Sequence, residues 1–191
     1  MSYNLLREKG DSVSIPQSGK ELSEFTEKVK KLSAVLQWRA AVDLDIHAFY
    51  RLKSGKSDGH VGFYSKGKVN KSPYIHLDKD MGVGNIQGDN KEVITIGSLV
   101  DVDVILIASN IYRIFGFLSK DDNFSRYDGE VKIVTNNSDE IVVPLTTSTP
   151  GKWCAIALID NSDPYCPIIT NINEVCQSEP KIDDYLSRIN N

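Results

Sequence analysis

The chain is built from short stretches in which apolar and polar residues alternate, and clusters of turn-forming residues separate these stretches. Residues 32–38 and 43–50 alternate with a period of two, whereas residues 102–108 form a continuous apolar run. Alternation places successive side chains on opposite faces of a strand, and a continuous run is typical of a strand buried on both faces. Many short strands between frequent turns favour a β-sandwich or a barrel over βαβ units.

Further strands are predicted wherever short apolar stretches lie between clusters of Gly, Asn, Ser and Thr. These strands cover residues 13–15, 60–64, 93–96, 130–134, 140–145 and 153–159. Leu22, Phe25 and Val29 have helical spacing and predict a helix over residues 20–31, and residues 182–189 predict a short outer helix. The predicted fold class is therefore all-β, with a few short peripheral helices.

The chain has 191 residues, and 40% of them are hydrophobic, which is enough for one domain with a full core. Residues 1–12 are polar and are predicted to form a loose N-terminus. Residues 13–160 hold the predicted strands and form the predicted domain. Residues 161–191 contain several prolines and are predicted to be a C-terminal extension that packs on the domain or trails it.

Composition limits the classes of partner. The net charge of −4 disfavours general binding to nucleic acid or to anionic membranes, and the 8% aromatic content argues against stacking platforms for bases or sugars. The N-terminus lacks an apolar signal segment, and no apolar run is long enough to span a bilayer. Three cysteines without paired spacing do not indicate a disulfide framework. We therefore expect a cytoplasmic protein that neither binds nucleic acid nor inserts into a membrane.

Two acidic features suggest a site for a hard cation. Asp43 and Asp45 lie two residues apart at a predicted strand start, so both carboxylates point to the same side. The loop over residues 78–92 adds four acids, two Asn and three Gly. Calcium takes six to eight oxygen ligands from carboxylates, amides and carbonyls, which such a loop can supply. Composition alone leaves a solvated polar loop as the alternative, and His47 is expected to be a packed strand residue.

An ordered series of short motifs runs through these features. In chain order the motifs are Trp38, Asp43-Leu44-Asp45, Ala48-Phe49, Phe63-Tyr64, Ser72-Pro73, His76, Gly88-Asp89-Asn90-Lys91-Glu92 and Val102-Asp103. With this series, the chain resembles the TerD family of bacterial tellurium-resistance and general stress operons.

The resemblance implies a calcium-binding β-sandwich whose acidic loops hold the Ca²⁺ ions. Carried over residue by residue, it points to metal ligands at Asp43, Asp45, Asp78, Asp80, Asp89 and Glu92, with Asn85 as a weaker seventh. Two basic residues, Lys79 and Lys91, depart from the family pattern and bring positive charge into the loop.

The function expected from the resemblance is that of a calcium-binding stress-response protein, not an enzyme. It would act by ion-dependent binding to other proteins of a stress-response complex. One alternative is a protein-interaction scaffold with a vestigial ion site, which Lys79 and Lys91 favour. The other is a hydrolase that uses a pair of carboxylates, which would need two carboxyl groups about 5–9.5 Å apart beside a cleft.

Overall fold

The computed structural model describes residues 2–15, 31–55, 58–78, 87–112 and 122–188. Apart from its last residue, Lys31, the helix predicted over residues 20–31 lies outside these ranges. The described residues form twelve strands: β1 (Tyr3–Leu5), β2 (Ser12–Ser14), β3 (Leu32–Trp38), β4 (Asp43–Leu52), β5 (Gly59–Val61), β6 (Ile75–Leu77), β7 (Asn90–Ile96), β8 (Val102–Tyr112), β9 (Glu130–Thr135), β10 (Glu140–Pro144), β11 (Trp153–Asp160) and β12 (Ile168–Cys176). They also form three 3-10 helices: Phe124–Arg126, Ile182–Asp184 and Leu186–Arg188.

The strands form two six-stranded sheets, which confirms the predicted two-sheet β-sandwich. The first sheet has the order β1-β10-β9-β3-β7-β6, and the second has the order β2-β12-β11-β8-β4-β5. β1 pairs with β10 in parallel, and the other strand pairs are antiparallel. β4 contacts β7 and β5 contacts β6 across the sandwich, so these four strands close one side of it.

The main core fills the space between the sheets, as the alternation predicts. In β3, buried and half-buried residues alternate strictly from Leu32 to Trp38. A second apolar cluster covers the outer face of the second sheet and includes Leu106, Leu158 and Ile172. The C-terminal segment covers this cluster with Ile182 and Tyr185. The continuous apolar run in β8 is therefore buried on both faces, as predicted.

Both predicted ends of the chain take more part in the sandwich than the sequence indicated. β1, within the segment predicted to be loose, pairs with β10 at the edge of the first sheet. β12, within the predicted extension, lies between β2 and β11 inside the second sheet. Of the predicted extension, the segment after Cys176 lies outside the strands and packs on the outer face of the second sheet. Its two 3-10 helices replace the outer helix predicted over residues 182–189.

The strand predicted over residues 60–64 ends earlier than expected, at Val61. Gly62 and Ser65 exchange two backbone hydrogen bonds, at 3.1 Å and 3.0 Å, and so form a tight turn. Phe63 and Tyr64 occupy the two central positions of this turn. Their apolar character suggested a strand, but the reciprocal bonds reverse the chain at this point.

Candidate functional site

Glu92 lies inside the sandwich, on the side where β7 faces β4. Its side chain shares the inward face of β7 with Ile94 and Ile96, and the residue is only 4% exposed. Its Oε2 atom accepts a hydrogen bond from the backbone N–H of Ile46 at 2.6 Å. β5 pairs with β4 only at residues 48–50 of β4, so no residue of β5 lies opposite Ile46. A buried carboxylate requires such a donor, and this bond joins the two sheets.

Asp43 and Asp45 lie on the same stretch of β4 as Ile46. They are half-buried, and their register partners on β8 are Tyr112 and Asn110. Alternation puts both side chains on the outer face of the second sheet, whereas Glu92 approaches from the first sheet. Asp43 and Asp45 therefore lie on one side of β4 and Glu92 on the other, and the Ile46 amide is the point at which Glu92 reaches this strand.

Asp78 and Asp89 lie at either end of residues 79–88, and neighbouring groups contact each of them. Asp78 Oδ2 accepts a hydrogen bond from Thr95 Oγ1 at 2.9 Å. The side chain of Asp89 is 95% exposed and lies 3.5 Å from Arg39 Nε. Arg39 also lies 3.6 Å from a carboxylate oxygen of Asp128, so it is shared between two carboxylates. These contacts hold Asp78 and Asp89 toward the first sheet, away from β4.

The described part of the predicted ligand set does not form a complete metal site. Within the described ranges, no three His, Cys, Asp or Glu side chains are grouped closely enough to hold a metal ion. Asp80 and Asn85 lie outside the described residues. The side chains of Asp43, Asp45 and Glu92 offer only oxygen atoms, which suits calcium and not a soft metal. Because Asp43 and Asp45 lie on the outer face of β4 and Glu92 lies between the sheets, a calcium site here would need ligands from residues 79–86 as well.

The structure also shows a histidine pair that sequence reasoning did not identify. His47 Nδ1 lies 2.8 Å from His60 Nε2, and His47 Nε2 lies 2.5 Å from Asn110 Oδ1. Because an amide oxygen accepts, His47 Nε2 donates to Asn110 and His47 Nδ1 accepts from His60. The His60 ring stacks on Phe49 with the ring centroids 4.5 Å apart. His47 is buried in β4, which confirms the expectation that it packs within a strand.

Burial keeps both histidines neutral. Burial lowers the pKa of His47 to about 4; the hydrogen bond to Asn110 opposes this shift and the charge of His60 adds to it. Burial also lowers the pKa of His60, against the opposing charge of Glu179. Glu179 Oε1 lies 4.0 Å from His60 Nδ1 on the C-terminal segment. A cavity of about 310 Å³ lies beside His60 at this junction. The sequence feature that could have indicated this pair is the alternation along β4, which places His47 and Phe49 on the same face.

Comparison with solved structures finds the same architecture in two proteins. One is SCO6318 from Streptomyces coelicolor A3(2), a homologue of the telluride resistance protein TerD, with a TM-score of 0.56 and 12% identity. That match covers 80% of this chain and 93% of the other. The second is SAV2460, a protein of unknown function, with a TM-score of 0.55 and 14% identity over 78% of this chain and 94% of the other.

These likenesses establish a TerD-like fold and nothing finer, because structural similarity at such low identity reports the fold alone. No family model and no curated protein matches the sequence. Among the described residues, no helix is long and apolar enough to cross a membrane.

Proposed function

We propose that this chain is a TerD-like module of a bacterial stress response, including resistance to tellurium compounds. We propose further that it binds calcium at an acidic edge, the side of the sandwich where β4 with Asp43 and Asp45 contacts β7 with Glu92. It acts through ion-dependent contacts with other proteins of a cytoplasmic stress-response complex and not through catalysis. The observation that supports this most directly is the hydrogen bond from the Ile46 amide to Glu92, which brings one predicted ligand to the strand that carries Asp43 and Asp45. The likeness to a TerD homologue adds support at the level of the fold.

The acidic edge gives a physical reason for a response to calcium. Calcium takes six to eight oxygen ligands, many of them from carboxylates. Asp43, Asp45 and Glu92 would contribute from β4 and β7, and Asp80 and Asn85 from the segment that connects β6 to β7. Asp78 and Asp89 would join them only by giving up their contacts with Thr95 and Arg39. An ion that binds only the folded chain stabilises it by mass action.

Thermal melting of chelator-treated protein, with calcium or with magnesium, tests this function. Calcium at about one hundred times its dissociation constant adds about 2.7 kcal/mol, which raises the melting temperature by roughly 5–10 °C for a chain of this size. Asp45→Asn should abolish the calcium shift. Asp101→Asn is the matched control, because Asp101 precedes the opposite end of β8 and should leave the shift intact. An equal melting temperature with and without calcium would contradict calcium binding.

One contact favours the alternative of an interaction scaffold with a vestigial ion site. Arg39 Nε lies 3.5 Å from Asp89 and supplies the positive charge that a cation would otherwise provide. Arg39→Gln separates the two functions. It should strengthen the calcium shift if the guanidinium competes with the ion, and it should leave calcium without effect in a scaffold.

A further inference from the structure

Ten consecutive residues between β5 and β6, residues 63–72, are exposed, and we call them the lysine lobe. Phe63 is 46% exposed, Tyr64 is 92% exposed and Val69 is 45% exposed. The rings of Phe63 and Tyr64 therefore face solvent, whereas one methyl group of Val69 lies close to Gly97. Isolated apolar residues are normal on a surface, but two exposed aromatic rings in contact indicate an interaction site.

The tip of the lysine lobe is a defined structure. The two backbone bonds between Gly62 and Ser65 hold Phe63 and Tyr64 at the central positions of the turn. Their rings meet edge to face, with centroids 5.1 Å apart. Gly, Asn, Asp and Ser are the residues that such turns prefer for their backbone geometry. The turn itself therefore gives no reason for two aromatic residues at its tip.

The base of the lysine lobe is fixed to the sandwich. His76 Nδ1 donates to the Lys66 carbonyl at 2.9 Å, and the Leu77 amide donates to the same carbonyl at 2.8 Å. Gly67 has a φ of 66°, and a Cβ atom there would lie 2.2 Å from the Ile75 carbonyl oxygen. The lobe is thus held in place by β6, and its aromatic tip is presented in a fixed orientation.

The charge of the lysine lobe is opposite to that of the whole chain. Residues 59–77 contain Lys66, Lys68 and Lys71 and no acidic residue, whereas the full chain has a net charge of −4. Among the described residues, none of these three lysines forms an ion pair. Lys66 Nζ lies 5.8 Å from the centre of the Phe63 ring, so positive charge and aromatic surface occupy the same patch.

We infer that the lysine lobe docks the protein on an anionic lipid surface. Aromatic rings flanked by lysines suit the headgroup region, where the rings enter the interface and the ammonium groups meet lipid phosphates and carboxylates. The convex tip of a two-residue turn can enter a headgroup layer, whereas a peptide partner needs a groove. The net negative charge of the chain does not oppose this contact, because salt screens charges that lie more than a Debye length from the lysine lobe.

Co-sedimentation with vesicles tests this docking in chelator, without calcium, so that its outcome is independent of the acidic edge. The wild-type chain should sediment with phosphatidylcholine vesicles that contain phosphatidylserine, and not with phosphatidylcholine alone. Replacement of Lys66 and Lys68 by Gln should weaken binding by about fivefold per lysine. Tyr64→Ser should weaken binding at high salt as well, because its contribution is apolar.

Matched controls come from residues near β12, which lies toward the opposite edge of the second sheet from β5. The double variant Lys9→Gln with Lys152→Gln removes two other exposed lysines, and Tyr165→Ser removes another tyrosine that is 54% exposed. These variants should bind vesicles as the wild type does, and melting curves should show that every variant is folded. Equal binding by the lobe variants and the controls would overturn the assignment, as would absence of wild-type binding. Binding of soluble polyglutamate without binding of vesicles would also overturn it, and would indicate an acidic protein segment.

Discussion

The outer faces of the two sheets differ, although the sheets have equal numbers of strands and share one core. In the first sheet, outer residues such as Val35, Val93 and Lys132 are half-buried, and burial alternates along the strands. In the second sheet, outer residues such as Leu106 and Leu158 are fully buried.

The difference arises from what lies on each face. The C-terminal segment brings Ile182 and Tyr185 onto the second sheet, so β8 and β11 require apolar side chains on both faces. The same cover creates the dry environment in which His47 and His60 stay neutral. The second sheet is therefore buried on both faces over β8 and β11, whereas the outer face of the first sheet is half-buried at most positions, with Val142 of β10 as an exception.

The largest effect should come from cavities on the two outer faces. Leu106→Ala should lower the free energy of unfolding by about 2–5 kcal/mol, because Leu106 is 0% exposed and its removal leaves a void. Val35→Ala, on the half-buried outer face of the first sheet, should cost about 1 kcal/mol or less. Urea denaturation measures both values. Equal losses would show that the C-terminal segment does not make the second face a true core.

The next effect concerns pH and the histidine pair. The pKa of His47 is about 4 in the folded chain, against 6.5 for an ordinary histidine. The unfolded chain therefore takes up the proton first, so stability is full above pH 6.5 and is lost as the pH falls toward 4. The loss for His47 is at most about 3 kcal/mol, and His60 shifts in the same direction. Denaturation curves between pH 7 and pH 4 should show this slope.

Two histidine variants distinguish the contribution of the histidine pair to this pH dependence from that of other acid-sensitive groups. His47→Gln has no ionisable group and should flatten the slope. His76→Gln removes a histidine from the first sheet and should leave the slope unchanged. A slope that persists in His47→Gln would assign the pH dependence to other groups.

The smallest effect should come from ion pairs on the two sides. Arg51 lies 2.8 Å from Asp183, so it ties β4 to the C-terminal segment. Asp183→Asn should cost about 0.5–1 kcal/mol and speed hydrogen exchange of the Tyr185 amide. Glu130→Gln, which breaks the 3.1 Å pair with Lys132 within the first sheet, should cost less than about 0.5 kcal/mol. Unchanged exchange at Tyr185 in Asp183→Asn would show that the apolar contacts alone hold the segment.

The strands with clear alternation could be predicted from sequence, and those stabilised by distant partners could not. The stretch predicted over residues 32–38 is β3 itself, Leu32–Trp38. β1 and β6 have three residues each, too few to show a period. β12 was missed because Asn171 and Asn173 interrupt its apolar pattern. Asn171 Nδ2 donates to the Leu6 carbonyl and Asn173 Nδ2 to the Pro144 carbonyl, so distant chain segments bind both amide nitrogens.

The motifs that predict metal ligands do not specify where those side chains lie in the fold. Asp43 and Asp45 lie on the outer face of β4, whereas Glu92 is buried between the sheets and accepts from the Ile46 amide. Asp78 and Asp89 were chosen in the same way, but Thr95 and Arg39 hold them toward the first sheet. Such contacts depend on strand register, which a motif does not specify.

The sequence by itself determined the strands that alternate clearly, such as β3 and β4, and the acidic composition of the loop, because these depend on the spacing of neighbouring residues. Tertiary structure alone decided which faces of those strands are buried from solvent. It placed Glu92 against the amide of Ile46 and His47 against His60, pairs that lie on different strands. The physical reason is that alternation assigns a side chain to a face, whereas burial and hydrogen bonding depend on what the rest of the chain lays over that face.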